Sequence, residues 1–149
     1  MARSTNPRKF LSGTESTRIN SAIKDAESKT SGEIKLVMIR HCWRNMKAKA
    51  SKIFKELRLD KTRDRNCVLI LFVVTNREFL IYGGQGIHER VGQGFWDDIR
   101  DKMVAVFKQD EFGDGISRGV CRIGERLSEY FPYQRDDTDE ISDDIVYRS

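Results

Sequence analysis

Apolar residues recur with the period of an α-helix in four separate stretches of the chain. In the first, Ile19 and Ile23 fall on one face of a 3.6-residue period, and Thr14 or Ser16 is placed to cap the helix. A similar apolar stripe recurs in three later stretches. The spacing predicts helices over 14–29, 45–58, 95–109 and 114–131.

Three shorter runs, over 33–41, 66–74 and 78–84, have the composition of buried β-strands. The helix between the first two predicts a parallel pair with a right-handed crossover. Only a short turn separates the second and third, which predicts an antiparallel hairpin. The order αβαββαα therefore predicts the α/β class: a three-layer α/β/α sandwich around a small mixed sheet, with room for a short fourth edge strand.

The 149-residue chain has the size of one domain, with 38% apolar and 34% charged residues. No apolar run approaches the ~20 residues that cross a bilayer. The basic N-terminus lacks the apolar core of a signal peptide. We therefore expect a cytoplasmic protein without a transmembrane segment, and a monomer.

Charge divides the chain into a basic body and an acidic end. The net charge is +4, yet residues 134–149 hold six acids against two arginines. Apolar groups are few there and one charge sign dominates, which favours disorder. We expect a flexible segment over 1–9, a folded domain over 10–133 and a disordered acidic tail over 134–149.

The three cysteines, Cys42, Cys67 and Cys121, are too few and too widely spaced for a disulfide framework or a zinc cluster. Cys67 falls in a predicted strand and Cys121 in a predicted helix, so we expect both in the core and all three thiols reduced. Cys42 follows His41, but adjacent strand residues point to opposite faces and do not form a catalytic pair.

The stretch IYGGQGIHERVGQGFW, residues 81–96, places glycines between a predicted strand and a predicted helix. Its spacing does not fit a dinucleotide-binding loop, because Glu89 stands where G-x-G-x-x-G requires its third glycine. The sequence also lacks the GxxxxGK[ST] pattern of a P-loop. DEFGDG, residues 110–115, does not fit an EF-hand, because Phe112 and Cys121 occupy ligand positions.

The predicted topology brings three segments to one edge of the sheet. Parallel pairing aligns the starts of the first two strands, and the hairpin returns the end of the third strand to the same edge. The segments carry four candidate ligands, Glu33, Asp64, Asn66 and Glu89, together with carbonyls that the glycines leave free. A divalent cation, Ca²⁺ before Mg²⁺, takes oxygen ligands of this kind. The alternative, ordinary turn acids paired with Arg63 and Arg65, remains open.

Several motifs, in this order and spacing, resemble the TPM domain family, named after thylakoid-lumen, photosystem-repair and levamisole-receptor-modulator proteins. They are TSGEIKLVMI, KTRDRNCVLILFV, REFLIYGGQGIHERVGQGFWDDI, FKQDEFGDGISRGV and LSEYFPY. The resemblance covers about residues 10–133 and is greatest to small, stand-alone bacterial members. It implies an α/β/α sandwich, divalent cation binding, usually of calcium, and a weak acid phosphatase activity known for one plant member.

By this resemblance, the family's acidic residue before the core strand falls on Asp64, and the glutamate of its SGE motif falls on Glu33. The chain departs from the family at Cys67, where glycine is frequent, and at His88, where an acid is common and Glu89 comes one position later. Fewer ligands imply weaker cation binding.

A second interpretation of function rests on the basic stretch 40–65, which holds ten lysines and arginines against three acids. It favours a non-catalytic module that binds a protein, a nucleic acid or an anionic surface, with Trp43 as an exposed aromatic. The missing nucleic-acid motif and the acidic tail disfavour nucleic acid. The candidate basic patch comprises Arg40, Arg44, Lys47, Lys49, Lys52 and Lys55. A solvated helix face is the alternative.

Overall fold

A four-stranded mixed sheet, in the order β3–β2–β1–β4, lies at the centre of the computed structural model, which describes residues 3–43, 45–61, 66–133 and 145–148. Its strands are β1 (Glu33–Ile39), β2 (Cys67–Val73), β3 (Glu78–Gly83) and β4 (Val146–Arg148). β1 pairs in parallel with β2 and with β4, and β3 pairs antiparallel with β2. The predicted parallel pair, the predicted hairpin and the fourth edge strand are confirmed.

The helices account for most of the remaining described chain. They are α1 (Pro7–Phe10), α2 (Gly13–Glu27), α3 (Met46–Glu56), α4 (Gln85–Val91), α5 (Asp97–Phe107) and α6 (Phe112–Tyr130). Short 3₁₀ turns occupy Leu59–Lys61 and Gln93–Trp96. The four predicted helices correspond to α2, α3, α5 and α6. None of the helices in the described ranges has the length and apolar character needed to cross a membrane.

Helices cover both faces of the sheet, so the domain has the three layers that the sequence predicted. On one face, Ile34, Leu36 and Met38 share an apolar cluster with residues of α2, α5 and α6. On the other face, Val37 and Ile39 share a second cluster with residues of α3. Every residue of β1 and β2 is buried. Burial on both faces explains why these strands have nearly continuous apolar sequences instead of alternating ones.

The start of α2 shows how local sequence sets a helix boundary. Its N-cap is Ser12 rather than Thr14 or Ser16. The Ser12 hydroxyl accepts from the Glu15 N–H at 3.1 Å, and the Glu15 carboxylate accepts from the Ser12 N–H at 2.9 Å. This reciprocal pair is a capping box, which satisfies two backbone donors that the first turn would leave unbonded.

The N-terminal segment, expected to be flexible over 1–9, contains the short helix α1. Pro7 and Phe10 are buried there. The Phe10 ring packs against Phe72 and Phe112 at centroid distances of 5.3 and 5.0 Å. Both partners are distant in sequence, so the local pattern did not reveal the contacts. The helix α1 thus lies partly within the segment that the sequence predicts to be flexible.

The acidic tail, expected to be disordered over 134–149, ends in the edge strand β4. Val146 to Arg148 pair with Val37 to Ile39 of β1, and Ile145 is buried. Within the segment predicted to be disordered, residues 145–148 thus lie along the edge of β1, which offers them hydrogen bonds and an apolar surface. Residues 134–144 and 149 lie outside the described residues.

The three cysteines are unpaired, as the sequence predicted, but the predicted burial of one of them is wrong. Cys42, Cys67 and Cys121 are all free thiols, as expected. Cys67 is buried, but Cys121 is exposed on α6. The apolar stripe of α6 runs through Val120 and Ile123, so Cys121 falls beside this stripe and not within it.

Candidate functional site

Backbone hydrogen bonds join the starts of β1 and β2 and the end of β3 at one edge of the sheet. The Glu33 N–H donates to the Asn66 carbonyl at 3.4 Å, and the Gly84 N–H donates to the Cys67 carbonyl at 2.9 Å. The register places Glu33 beside Cys67 and Val68 beside Gly83. The predicted meeting of these three segments is therefore present in the fold.

Glu33 and Asn66 are both buried at this edge, with 5% and 2% of their surface exposed. Their side chains lie on opposite faces of the sheet, because side chains alternate along a strand and Cys67, not Asn66, is the register partner of Glu33. The Asn66 amide donates to the Ser31 hydroxyl at 3.2 Å. The edge thus brings the two backbones together and directs the two side chains apart.

Asp64 lies outside the described residues, within the segment 62–65 that leads directly into Asn66.

Glu89 does not join the buried group. It is exposed on α4, and its Oε1 accepts from the Gln85 amide at 3.0 Å. The residues between Gly84 and Gly92, expected to be a loop, form this helix. The Gly84 carbonyl accepts from the N–H groups of Ile87 and His88 at 3.1 and 2.9 Å. The expectation that it is free to bind a ligand is therefore corrected.

Glu27, which the sequence analysis did not single out, approaches the same edge from the last position of α2. Its Oε2 accepts from the Ile34 N–H at 2.9 Å, and 8% of its surface is exposed. A signal was present in the sequence, because Glu27 follows Ile19 and Ile23 at successive four-residue steps and so continues an apolar stripe. An acidic residue on the apolar face of a helix indicates a buried carboxylate, and therefore one that has a structural or binding role.

The Cys67 thiol reports the electrostatics of this edge. Burial raises its pKa well above the ordinary value, and the negative charges of Glu33 and Glu27 raise it further. Lys35, two residues along β1 on the face of Glu33, acts in the opposite direction. Both carboxylates are thus close enough to act on one thiol.

The balance of these charges is negative. Among the described residues, the buried ionisable groups other than cysteine are Glu27, Glu33 and Lys35. With both carboxylates ionised they carry a net charge of −1. No group of three acidic, histidine or cysteine side chains in the described ranges has the arrangement of a metal centre.

The basic patch lies on and beside α3. Lys47, Lys52 and Lys55 are exposed, Lys49 is half-buried, and Arg44 lies outside the described residues. Lys52 pairs with Glu56 at 3.9 Å. Arg40 stands at the end of β1 and lines a separate cavity with residues of α1 and β4.

Trp43 precedes this helix and is 88% exposed. Its ring stacks on His41 at a centroid distance of 5.1 Å. The expected exposure of this aromatic residue is confirmed.

Comparison with known proteins identifies the family. The family model for the TPM domain matches residues 4–126. The chain belongs to the TPM domain family. A search of curated proteins found no match to this TPM domain.

Two solved structures resemble this TPM domain over most of its length. The NMR structure of the BA42 protein from the psychrophilic bacterium Bizionia argentinensis is 35% identical, with a TM-score of 0.89 over 97% of this chain and 99% of that one. The N-terminal domain of a P. gingivalis protein is 16% identical, with a TM-score of 0.64 over 84% of this chain and 82% of that one. The second likeness concerns the fold alone.

Proposed function

We propose that this TPM domain binds a divalent cation, calcium in preference to magnesium, at the amino ends of β1 and β2. The observation that carries the proposal is the pair of buried carboxylates, Glu27 and Glu33, at this edge. Burying a charge is costly unless it is paired or binds a metal. Two carboxylates gathered at one edge supply the oxygen-rich, negatively charged surroundings that a hard divalent cation takes.

The proposed ligands differ from those expected from the sequence. Asp64 and Glu33 supply carboxylate oxygens, and the backbone oxygen of Asn66, which lies beside the Glu33 backbone, completes the protein's share. Glu27 adds negative charge from the end of α2. Glu89 is left out because it is exposed and accepts from Gln85.

Calcium is the preferred ion for a geometric reason. Ca²⁺ accepts six to eight oxygens in flexible arrangements, whereas Mg²⁺ requires a near-ideal octahedron and retains much of its water. Carboxylates delivered by a strand and by a connecting segment fit the less demanding ion. Water fills the remaining positions of an incomplete ligand set, which predicts modest affinity.

A calcium titration followed by amide NMR tests the proposal. At constant ionic strength, CaCl₂ should shift the amides of residues 27, 32–34 and 64–67, and MgCl₂ should shift them less. Asp64→Asn should abolish these shifts. Glu89→Gln removes the same charge from α4 and should leave them intact. Loss of binding in Glu89→Gln with retention in Asp64→Asn would contradict the proposed ligand set.

Weak phosphatase activity, implied by the family resemblance, would depend on the same ion. A bound cation polarises a phosphoryl oxygen, but the raised pKa of Cys67 keeps this buried thiol protonated and unsuited to act as a nucleophile. We therefore propose binding as the function and slow hydrolysis at most. Equal turnover of a phosphomonoester by the wild type and by Asp64→Ala would assign the activity to a contaminant.

A second candidate function is favoured by Trp43, which is exposed and shortly precedes the lysine-bearing helix α3 in the chain. A large exposed aromatic beside cationic side chains suits a non-catalytic module for an acidic protein surface. Binding of an acidic peptide should quench Trp43 fluorescence and weaken as salt increases. Trp43→Ala should weaken the complex, and binding unaffected by salt would exclude this function.

A further inference from the structure

A polar cavity lies at the opposite end of β1 from the proposed cation site. It has a volume of about 260 Å³ and opens beside the carboxyl end of β1. Its lining comes from three separate parts of the chain: Asn6, Pro7 and Arg8 at α1, Arg40 after β1, and Tyr147 and Arg148 of β4. Tertiary structure alone assembles this cavity.

Three arginines, Arg8, Arg40 and Arg148, line this cavity, and no acid is among its described lining residues. Arg148 is held from behind by Glu56, to which it donates at 2.6 Å. Arg8 lies over the ring of Tyr147, 5.5 Å from its centroid. Neither Arg8 nor Arg40 forms an ion pair with any described residue. Glu56 compensates the charge of Arg148, whereas Arg8 and Arg40 keep two like charges at the cavity. Like charges repel, and a bound anion would relieve that repulsion.

We propose that this cavity binds a phosphate group, carried by a small phosphomonoester or by a lipid headgroup. A phosphomonoester carries a charge of about −1.5 to −2 at pH 7 and has three acceptor oxygens. A carboxylate offers one charge and two oxygens, which compensates only one of the two arginines, Arg8 and Arg40, that have no acidic partner among the described residues. The planar fork of arginine donates two parallel hydrogen bonds to phosphate oxygens, which lysine does not reproduce.

The position of the cavity supports the same assignment. β1 and β4 are parallel neighbours, and in open parallel sheets ligands bind outside the carboxyl ends of the strands. Side chains alternate along a strand, so Glu56 of α3 holds the Arg148 guanidinium on the face opposite Tyr147. The ring of Tyr147 restrains Arg8. Arg8 and Arg40 are therefore the groups available to bind the phosphate.

The phosphate cavity and the cation site are independent of each other. Arg40 stands seven residues beyond Glu33 along an extended strand, which separates the two by roughly 23 Å. They share no residue. Failure of calcium binding would leave this inference untouched, and the reverse also holds.

Calorimetric titration of the full chain with inorganic phosphate and with glycerol phosphate, at constant ionic strength, tests the inference. Arg40→Gln and Arg8→Gln should each weaken binding by about tenfold or more, the effect of removing a charged hydrogen-bond donor. Lys24→Gln, on the exposed surface of α2, makes the same change in net charge and should leave the affinity unchanged. Circular dichroism melting establishes that each variant is folded.

Four outcomes would overturn the assignment, three of them in the calorimetry. The first is equal affinity of the wild type and Arg40→Gln. The second is equal weakening by Lys24→Gln, which would indicate attraction by net charge alone. The third is no binding of phosphate in any form by the wild type. Amide NMR should place the phosphate-induced shifts at residues 6–8, 40 and 147–148, and shifts confined to other basic residues would also overturn it.

Vesicles distinguish the two sources of the phosphate group. Phosphatidylcholine vesicles with and without phosphatidic acid are sedimented with the protein. Arg40-dependent sedimentation with phosphatidic acid, reversed by glycerol phosphate, supports a lipid headgroup. Binding of glycerol phosphate without vesicle binding supports a soluble phosphomonoester. Sedimentation that Arg40→Gln leaves unchanged contradicts recognition of a lipid phosphate by this cavity.

Discussion

The guanidinium of Arg3 binds both carboxylate oxygens of Glu15, with Nη1 to Oε1 at 2.8 Å and Nη2 to Oε2 at 3.0 Å. The same carboxylate accepts from the N–H groups of Ser12 and Gly113 at 2.9 and 3.1 Å. One side chain therefore ties the N-terminal segment to α2 and to the start of α6. Glycine is needed at 113, because a Cβ there would lie 2.7 Å from Cγ of Glu15.

The first prediction concerns acid stability. Burial alone raises the pKa of Glu15, but hydrogen bonds from Arg3, Ser12 and Gly113 outweigh it and lower the pKa from 4.5 to about 2. The stabilisation is therefore complete above about pH 4.5 and is lost as the pH falls toward 2. Glu15→Gln should reduce the free energy of unfolding at pH 7 by about 2 kcal/mol.

Denaturant unfolding between pH 7 and pH 2 measures this effect. The difference between Glu15→Gln and the wild type should shrink as the pH falls. A double-mutant cycle with Arg3→Ala isolates the ion pair from the helix cap. A difference that stays constant across this pH range would contradict the assignment of the lowered pKa to Glu15.

The second prediction compares two glycines. A Cβ at Gly124 of α6 would lie 2.6 Å from the Ala26 Cβ and 3.2 Å from its Cα, so the helices α2 and α6 would have to separate. Gly124→Ala should destabilise the protein by about 1–3 kcal/mol. Gly13, at the start of α2, has open space around its Cβ position. Gly13→Ala should leave stability unchanged or raise it by up to about 1 kcal/mol. Thermal unfolding measures both, and equal effects would contradict the close helix contact.

The third prediction tests the edge strand. Ile145 is 8% exposed and enters the apolar cluster beneath α2 and α6. Ile145→Ala should cost about 2 kcal/mol or more of unfolding free energy. Val104→Ala, at an exposed position on α5, is the matched control and should change stability by less than about 0.5 kcal/mol. Equal stability of the two variants would show that β4 does not pack as described.

The fourth prediction concerns the order in which the thiols react. With a disulfide reagent under native conditions, Cys121 should react first because it is exposed, and half-buried Cys42 should follow. Cys67 should react only on unfolding, since burial excludes the reagent and raises the thiol pKa. In denaturant without reductant, all three thiols should react with the reagent. Simultaneous reaction of three thiols in the native protein would contradict the burial of Cys67.

The fifth prediction concerns calcium and thermal stability. A ligand at a hundredfold excess over its Kd stabilises the native state by about 2.7 kcal/mol. At roughly 2–4 °C per kcal/mol, Tm should rise by several degrees. Asp64→Asn should remove the increase and Glu89→Gln should preserve it. Deletion of 134–149 is a poor control because it also removes β4. Replacing the tail acids with asparagine and glutamine removes their charge and keeps β4. If calcium no longer raises the Tm of that variant, the rise in Tm came from screening of the acidic tail.

Much of the fold could be predicted because its signals are local. The apolar runs of β1 and β2 and the helical period of α2, α3, α5 and α6 persist over enough residues to identify each element. The short turn before β3 and the helix before β2 were enough to fix strand directions. The meeting of Glu33, Asn66 and Gly83 at one edge followed from those directions without any side-chain information.

Sequence pattern did not reveal α4, β4 or the role of Glu27. Glycines flank α4 and give it little intrinsic helix propensity, so the helix depends on burial of Ile87 in the core. β4 spans three residues and is stabilised by pairing with β1 more than a hundred residues earlier, which no local pattern encodes.

The sequence by itself determined the class of fold, the direction of three strands and the edge at which acidic residues gather. Only the tertiary structure decided which side chains that edge receives: Glu27 is brought in by the end of α2, and Glu89 is carried to the surface by α4. It also assembled Arg8, Arg40 and Arg148 around one cavity. The physical reason is the same in each case. Backbone periodicity is a local property, whereas burial and charge proximity depend on contacts between distant segments.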